Sequence, residues 1–225
     1  MEKPEPLDAE FFCISCRTPF VNSFPLDSDG RCALCRSGLR AFDAAYSFGA
    51  YAAELRELIH LLKYRSVRPL AAPLGQYLLR CLPRDEVFDV IVPVPLHWTR
   101  RWRRGFNQAE LLARAVSRST GIPVREALRR VHSTAPQAGL SNSARRRNVV
   151  RAFRCTAENR VRGKNVLLVD DVMTTGSTAT ACARALKRAG AKRVSVLTVA
   201  RADRRMPARA AATDSWMEGR DRNGE

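Results

Sequence analysis

Apolar and polar positions along this chain change period several times, and each change marks an element. From Tyr51 to Tyr64 apolar residues recur at helical spacing, with Leu55, Leu58, Ile59 and Leu62 on one face. Pro69 opens a second helical run that reaches Leu82, where Pro83 stops it. Val87 to Val94 is apolar and β-rich, which predicts a strand ended by Pro93 and Pro95. Phe106 to Ser119 predicts a helix whose core face is Ala109, Leu112, Ala113 and Val116, broken by Gly121 and Pro123. Val124 to Val131 and Val149 to Cys155 predict strands, and His132 to Arg147 between them has no periodic apolar face. Val166 to Val169 is an unbroken apolar run, the pattern of a strand buried on both faces. A helix follows to Ala189, with Gly190 as its C-cap, and then a strand from Arg193 to Ala200. Strands alternating with helices predict an α/β fold: a parallel sheet with helices on both faces. Beyond Arg201 the chain is polar and irregular, which predicts a frayed tail.

The strand ending at Val169 runs into two adjacent carboxylates, Asp170 and Asp171. The turn after them carries Thr174, Thr175, Gly176, Ser177 and Thr178. Small hydroxyl residues and free backbone N–H groups at a helix N-terminus make a site for a phosphate monoester. Two carboxylates beside that cradle suit a sugar phosphate. The acids accept hydrogen bonds from ribose hydroxyls, and the turn holds the 5′-phosphate. The plain alternative is an ordinary strand–turn–helix with a solvated acidic end.

Cys13, Cys16, Cys32 and Cys35 form C-x2-C-x15-C-x2-C, the spacing of a four-cysteine zinc site. The segment between the pairs holds Pro19, Pro25, Asp27, Asp29 and Gly30, so it is turn-rich and too short for a core of its own. A metal would supply the missing folding energy. Two disulfides are the alternative. Against them, the chain starts Met-Glu-Lys-Pro-Glu-Pro with no apolar leader, and no apolar run reaches membrane-span length. The expected compartment is the cytoplasm, with no membrane insertion. Cys81, Cys155 and Cys182 are scattered singly and read as buried thiols. The expected organisation is a cysteine module over 1–40, an α/β domain over 41–202 and a tail over 203–225.

The 225 residues can bury one α/β core plus a small appendage. The formal net charge is +17 and unevenly placed: fourteen arginines between His97 and Arg154 face only Glu110 and Glu126. Such a field attracts polyanions, either a diphosphate in a pocket or nucleic acid along a surface. With only five lysines in the chain, arginine is the default base, and part of the excess is solvated surface. Arg100, Arg101, Arg103, Arg104 and Gly105 lie between a strand end and a helix start. In open α/β sheets ligands bind beyond the carboxyl ends of the strands, so these arginines can hold a diphosphate by charge-assisted bonds. An exposed basic turn is the alternative. Trp98 and Trp102 either pack this loop down or stack on a base or sugar. The long loop with Thr134, Gln137 and Arg145 to Arg147 reads as a basic lid over a polyanionic substrate, or as a disordered basic loop.

Val166 to Thr178 resembles the PRPP-binding motif of type I phosphoribosyltransferases. From about residue 10 to residue 200 the chain resembles the ComF family of competence-associated proteins. The two C-x2-C pairs, Lys63-Tyr64, Val92-Pro93-Val94-Pro95 and Arg104-Gly105-Phe106-Asn107-Gln108 carry this resemblance, with Thr134, Gln137, Leu140, Arg145, Asn148, Phe153 and Asp170 to Thr178. It implies a type I phosphoribosyltransferase-like sheet with an N-terminal zinc ribbon, PRPP or a nucleotide as ligand, and a link to DNA uptake in competence. The activity implied is phosphoribosyl transfer or hydrolysis, a glycosyltransferase-class reaction. In that scheme Asp170 and Asp171 orient the ribose, Arg145 acts from the lid, and Thr174, Thr175, Gly176, Ser177 and Thr178 hold the 5′-phosphate. Arg103, Arg104 and Gly105 hold the diphosphate with Mg²⁺, and Cys13, Cys16, Cys32 and Cys35 hold a structural zinc. The rival expectation is a non-enzymatic protein that handles single-stranded DNA with the competence machinery. A third is a zinc-stapled scaffold for partner proteins.

Overall fold

Burial on both faces is what turns the apolar run at Val166 into the centre of the molecule. The computed structural model describes residues 4–7, 9–20, 22–38, 40–96, 102, 104–131 and 152–202. Its strands are β1 (Phe11–Phe12), β2 (Pro19–Phe20), β3 (Ala44–Ala50), β4 (Val90–Pro93), β5 (Leu128–Arg130), β6 (Phe153–Cys155), β7 (Asn165–Met173) and β8 (Arg193–Arg201). Its helices are α1 (Ala33–Arg36), α2 (Ala53–Tyr64), α3 (Ala71–Cys81), α4 (Gln108–Thr120) and α5 (Ser177–Arg188). β3, β8, β7 and β4 form one sheet in that order, all parallel.

Side chains alternate along a strand, so β7 feeds two cores at once. Val166 and Leu168 join one buried cluster, Leu167 and Val169 the other. α2, α3 and α4 cover the second face through Leu55, Ile59, Leu62, Leu74, Leu78, Leu112 and Val116. α5 covers the first face through Ala179, Cys182, Ala183 and Leu186, and the β5–β6 hairpin packs beside it through Leu128 and Phe153. Cys13, Cys16 and Cys32 are buried in that same first cluster. The cysteine module is fastened to the sheet by Arg201 at the end of β8. This buried side chain donates from Nη1 to the Cys16 carbonyl at 2.9 Å and from Nη2 to Thr18 Oγ1 at 2.6 Å.

Several elements differ from the sequence expectation. β3 was not expected at all: Ala44-Ala45-Tyr46-Ser47-Phe48-Gly49-Ala50 has no β-branched residue, and only its pairing with β8 makes it a strand. β7 does not end at Val169 but runs on to Met173, because β8 also continues and pairs with it out to Arg201. The strand expected over Val124 to Val131 contracts to Leu128–Arg130, with a single bridge from Val124 to Ile91. Trp102 stands in solvent, 84% exposed, instead of packing its loop down. Trp98, Arg103, the lid segment with Thr134, Gln137 and Arg145, and the tail from 203 lie outside the described residues. Among the described residues no helix is long and apolar enough to cross a membrane.

α3 and α4 approach most closely where Gly75 faces Ala115. A Cβ at Gly75 would lie 2.6 Å from the Ala115 Cβ. Alanine in a helix interior normally stabilises relative to glycine by about 0.5–1 kcal/mol. Here the contact outweighs propensity. Gly75→Ala should destabilise the protein by about 1–3 kcal/mol in urea unfolding, as overpacking does. A stabilised variant would mean that the two helices part freely.

Candidate functional site

The carboxyl end of β7 and the turn into α5 line an open pocket. Asp170, residues 174–179, and Val196 and Thr198 of β8 form its walls. Gly176 occupies the N-cap position of α5 in the left-handed region, φ 76°, and offers no side-chain cap; only the Ser177 N–H is met by a side chain, donating to Thr175 Oγ1 at 3.4 Å among the described residues. The first-turn N–H groups therefore point toward the pocket end as an anion-attracting terminus. Thr174 and Thr175 are exposed, Ser177 and Thr178 half-buried. Thr175 Oγ1 and Ser177 Oγ are 2.8 Å apart, so the turn's hydroxyls already hold one another in place. Thr174 to Thr178 thus come together as the sequence predicts.

The two carboxylates part company. Because β7 continues as a strand through both, Asp170 and Asp171 point to opposite faces of the sheet. Asp170 lies on the pocket side, and its Oδ1 accepts from the Asp171 backbone N–H at 2.9 Å. Burial, and then the Asp171 carboxylate beside it, push the Asp170 carboxyl up to about 8. Asp171 is buried on the other face, where Lys63 Nζ from the last turn of α2 lies 3.0 Å from its Oδ1. Its Oδ2 is buried with no hydrogen-bond partner among the described residues.

Lys63 is the functional neighbour that the composition and periodicity of the sequence do not reveal. It sits beside Tyr64, and the pair does two jobs. Lys63 holds Asp171, while the Tyr64 ring carries the Arg104 guanidinium 4.8 Å from its centroid. Arg104 Nη1 also donates to Gln108 Oε1 at 3.2 Å. Asn107 fixes the start of α4: it accepts from the Ala109 N–H at 3.1 Å and donates to the Val94 carbonyl at 3.0 Å. The Arg104–Gln108 segment is thereby tied both to the end of β4 and to α2. Gly105 has a φ of 73°, and Arg68 lies against it with its guanidinium over the Phe106 ring at 5.1 Å.

At the other end of the first core, the Sγ atoms of Cys13, Cys16, Cys32 and Cys35 all lie within 4.8 Å of one another. Cys13 and Cys35 are 3.7 Å apart, as are Cys16 and Cys32. Tetrahedral zinc with Zn–S bonds of about 2.3 Å separates its sulfurs by about 3.8 Å, so the donor set fits zinc. No disulfide joins the chain's cysteines. Packed this tightly, the thiols conflict. Hydrogen bonding with Cys16 holds Cys13 well below the usual thiol range, and hydrogen bonding with Cys13 pushes Cys35 well above it. A central dication would remove that conflict by taking all four as thiolates.

Two predictions follow from the split carboxylates. A carboxyl whose pKa folding raises binds its proton more readily in the folded chain, so its ionisation opposes folding. For Asp170 the opposition is absent below the ordinary carboxylate range and grows as pH rises toward about 8. Between pH 5 and 8, Asp170→Asn should gain on wild type in urea unfolding by on the order of 2–4 kcal/mol. Parallel pH curves for the two proteins would refute this. Lys63→Met should destabilise by about 3–5 kcal/mol by leaving Asp171 buried and unpaired, and adding Asp171→Asn should restore most of the loss. A Lys63→Met protein as stable as wild type would show that the ion pair does not secure α2.

Known proteins bear on this geometry. A family model of the phosphoribosyl transferase domain matches residues 102–217. The DNA utilization protein YhgH of Escherichia coli O157:H7 is 38% identical over 197 residues, 84% of this chain and 83% of that protein. Competence protein F of Haemophilus influenzae is 35% identical over 180 residues, 76% of this chain and 78% of that one. A solved structure described as the allosteric regulatory enzyme of purine biosynthesis is 25% identical with a TM-score of 0.41. It matches 57% of this chain, which spans 25% of that longer one. By its sequence identity to competence protein F and YhgH over most of both chains, and by its phosphoribosyl transferase domain, the chain belongs to the ComF family.

Proposed function

We propose that the pocket at the end of β7 binds PRPP or a nucleotide, and that the protein transfers or hydrolyses the phosphoribosyl group. The observation that carries this is the placement of Asp170 and the Thr174–Thr178 turn, with glycine at the helix N-cap, together at the carboxyl ends of parallel strands. The turn and the α5 N-terminus receive the 5′-phosphate. Asp170 accepts from ribose hydroxyls, and Asp171, held by Lys63, fixes the strand backbone beneath them. Arg104 offers its charge to the diphosphate from the α4 side, with Arg103 and Gly105 beside it and Arg145 acting from the lid. Mg²⁺, carried in with PRPP, would neutralise the diphosphate through oxygen ligands. As diphosphate leaves, the C1–O bond breaks and positive charge builds at C1. Catalysis is then positioning and electrostatics. Zinc on the four cysteines has a structural part. The relatives are named for DNA utilization and competence, which supports a part in DNA uptake.

A thermal shift with PRPP and Mg²⁺ tests the reading. A ligand that binds only the folded state stabilises by about 2.7 kcal/mol at a hundredfold excess over Kd. Arg104→Ala should abolish most of the shift, while Arg118→Ala, on the exposed last turn of α4, should leave it unchanged. No shift with wild type at millimolar ligand would sink the transferase reading. The arginine-rich composition favours a second one, direct binding of single-stranded DNA. In that case both variants should weaken oligonucleotide binding alike, and each should lower the salt slope by about one.

A further inference from the structure

The phosphate turn has a neighbour that no sequence motif marks. Arg40 lies in the segment that joins the cysteine module to β3. Its guanidinium is stacked on the Phe42 ring, 5.5 Å from the centroid. All three of its nitrogens, Nε, Nη1 and Nη2, are buried with no hydrogen-bond partner among the described residues. A guanidinium offers five N–H donors and keeps its charge at any working pH. Buried in that state it calls for an anionic acceptor.

Two features adjoin it. One is Cys16, whose thiolate form hydrogen bonding with Cys13 opposes while hydrogen bonding with Cys32 and Cys35 and, least, the charge of Arg40 favour it. Cys16 is already supported elsewhere: Thr18 Oγ1 lies 2.8 Å from its Sγ, and Arg201 holds both its carbonyl and Thr18. The other is Gly176, the N-cap residue of α5. Arg40 Nη1 lies 3.0 Å from where a Cβ at Gly176 would stand. A side chain there would drive the guanidinium off the turn, and the left-handed φ of 76° disfavours one as well. The guanidinium and the helix terminus thus present positive charge at one point, from two different parts of the chain.

We propose that Arg40 is a phosphate-binding residue of this pocket, supplied by the cysteine module to the phosphate seated on the α5 N-terminus. The ligand class is a sugar phosphate monoester, and the inference rests on the sugar-phosphate reading of the pocket given above. The zinc-binding module then acts on the ligand site through one side chain. Metal loss, which releases the segment carrying Arg40, lowers phosphate affinity without touching any residue of the Thr174–Thr178 turn.

Calorimetric titration of the metal-loaded full chain with ribose 5-phosphate and with PRPP is the test, on wild type, Arg40→Met and Arg40→Lys, with zinc content measured on each. At wild-type zinc content, Arg40→Met should bind ribose 5-phosphate about ten- to a hundredfold more weakly, the loss of a charge-assisted donor. Arg40→Lys should fall between the two, because lysine keeps the charge but not the planar fork. Equal affinity of Arg40→Met and wild type overturns the inference and leaves Arg40 as a counter-charge to the thiolates. If Arg40→Met loses zinc or fails to fold, Arg40→Lys decides: wild-type affinity at wild-type zinc content overturns the inference. PRPP binding that is indifferent to Arg40 defeats the inference alone. Arg40-dependent binding of ribose 5-phosphate without binding of PRPP defeats the transferase reading alone. If neither phosphate ester binds wild type, both fall.

Discussion

The parallel ladder between β7 and β8 carries on past the apolar residues, through Asp170 opposite Thr198 to Met173 opposite Arg201. Everything chemical in the molecule hangs from that extension. A strand alternates its side chains, so two carboxylates adjacent in sequence are delivered to opposite faces. Asp170 meets the pocket, and Asp171 meets Lys63 beneath α2. The same extension lifts Arg201 to the point where its guanidinium can clasp the first cysteine knuckle. Had the ladder stopped at Val169, the acids would be a flexible pair at a strand end, and the cysteine module would have no anchor on β8.

Arginine does the connecting. Arg201 joins sheet to cysteine module, Arg40 lies between that module and the phosphate turn, and Arg104 is pinned between α2 and α4. Arg40 and Arg104 each place the guanidinium over an aromatic ring, Phe42 and Tyr64 respectively. A planar, weakly hydrated cation can be buried in this way where an ammonium cannot. The excess positive charge is therefore more than a solvated surface or a field for polyanions. Part of it is structural: Arg201 holds the Cys16 carbonyl and Thr18, and Arg104 is held between Tyr64 and Gln108.

The cysteine module depends on the sheet for its burial. Its own strands are two residues long and its helix four, too little for a core. Cys13, Cys16 and Cys32 bury themselves in the cluster that also contains Phe42, Met173, Ala179 and Cys182. The four sulfurs are therefore packed against the same face of the sheet that carries α5 and the Thr174–Thr178 turn, so folding energy from a metal on them would reach that face directly.

Local pattern alone determined much of this protein. The core face of α4, Ala109, Leu112, Ala113 and Val116, could be read from spacing, and all four are buried. The double-sided burial of β7 followed from four consecutive apolar residues. The phosphate turn and the cysteine quartet were legible because each is contiguous, or nearly so, in the chain. Tertiary structure decided the rest, because it depends on partners far away in sequence. β3 is alanine-rich and becomes a strand only through its ladder to β8. Neither Lys63 nor Arg40 carries a local signal of its role. One is assigned by the helix that brings it over Asp171, the other by a connecting segment that crosses to Gly176. The separation of Asp170 from Asp171 depended on how far β8 would continue, which no residue of β7 could announce.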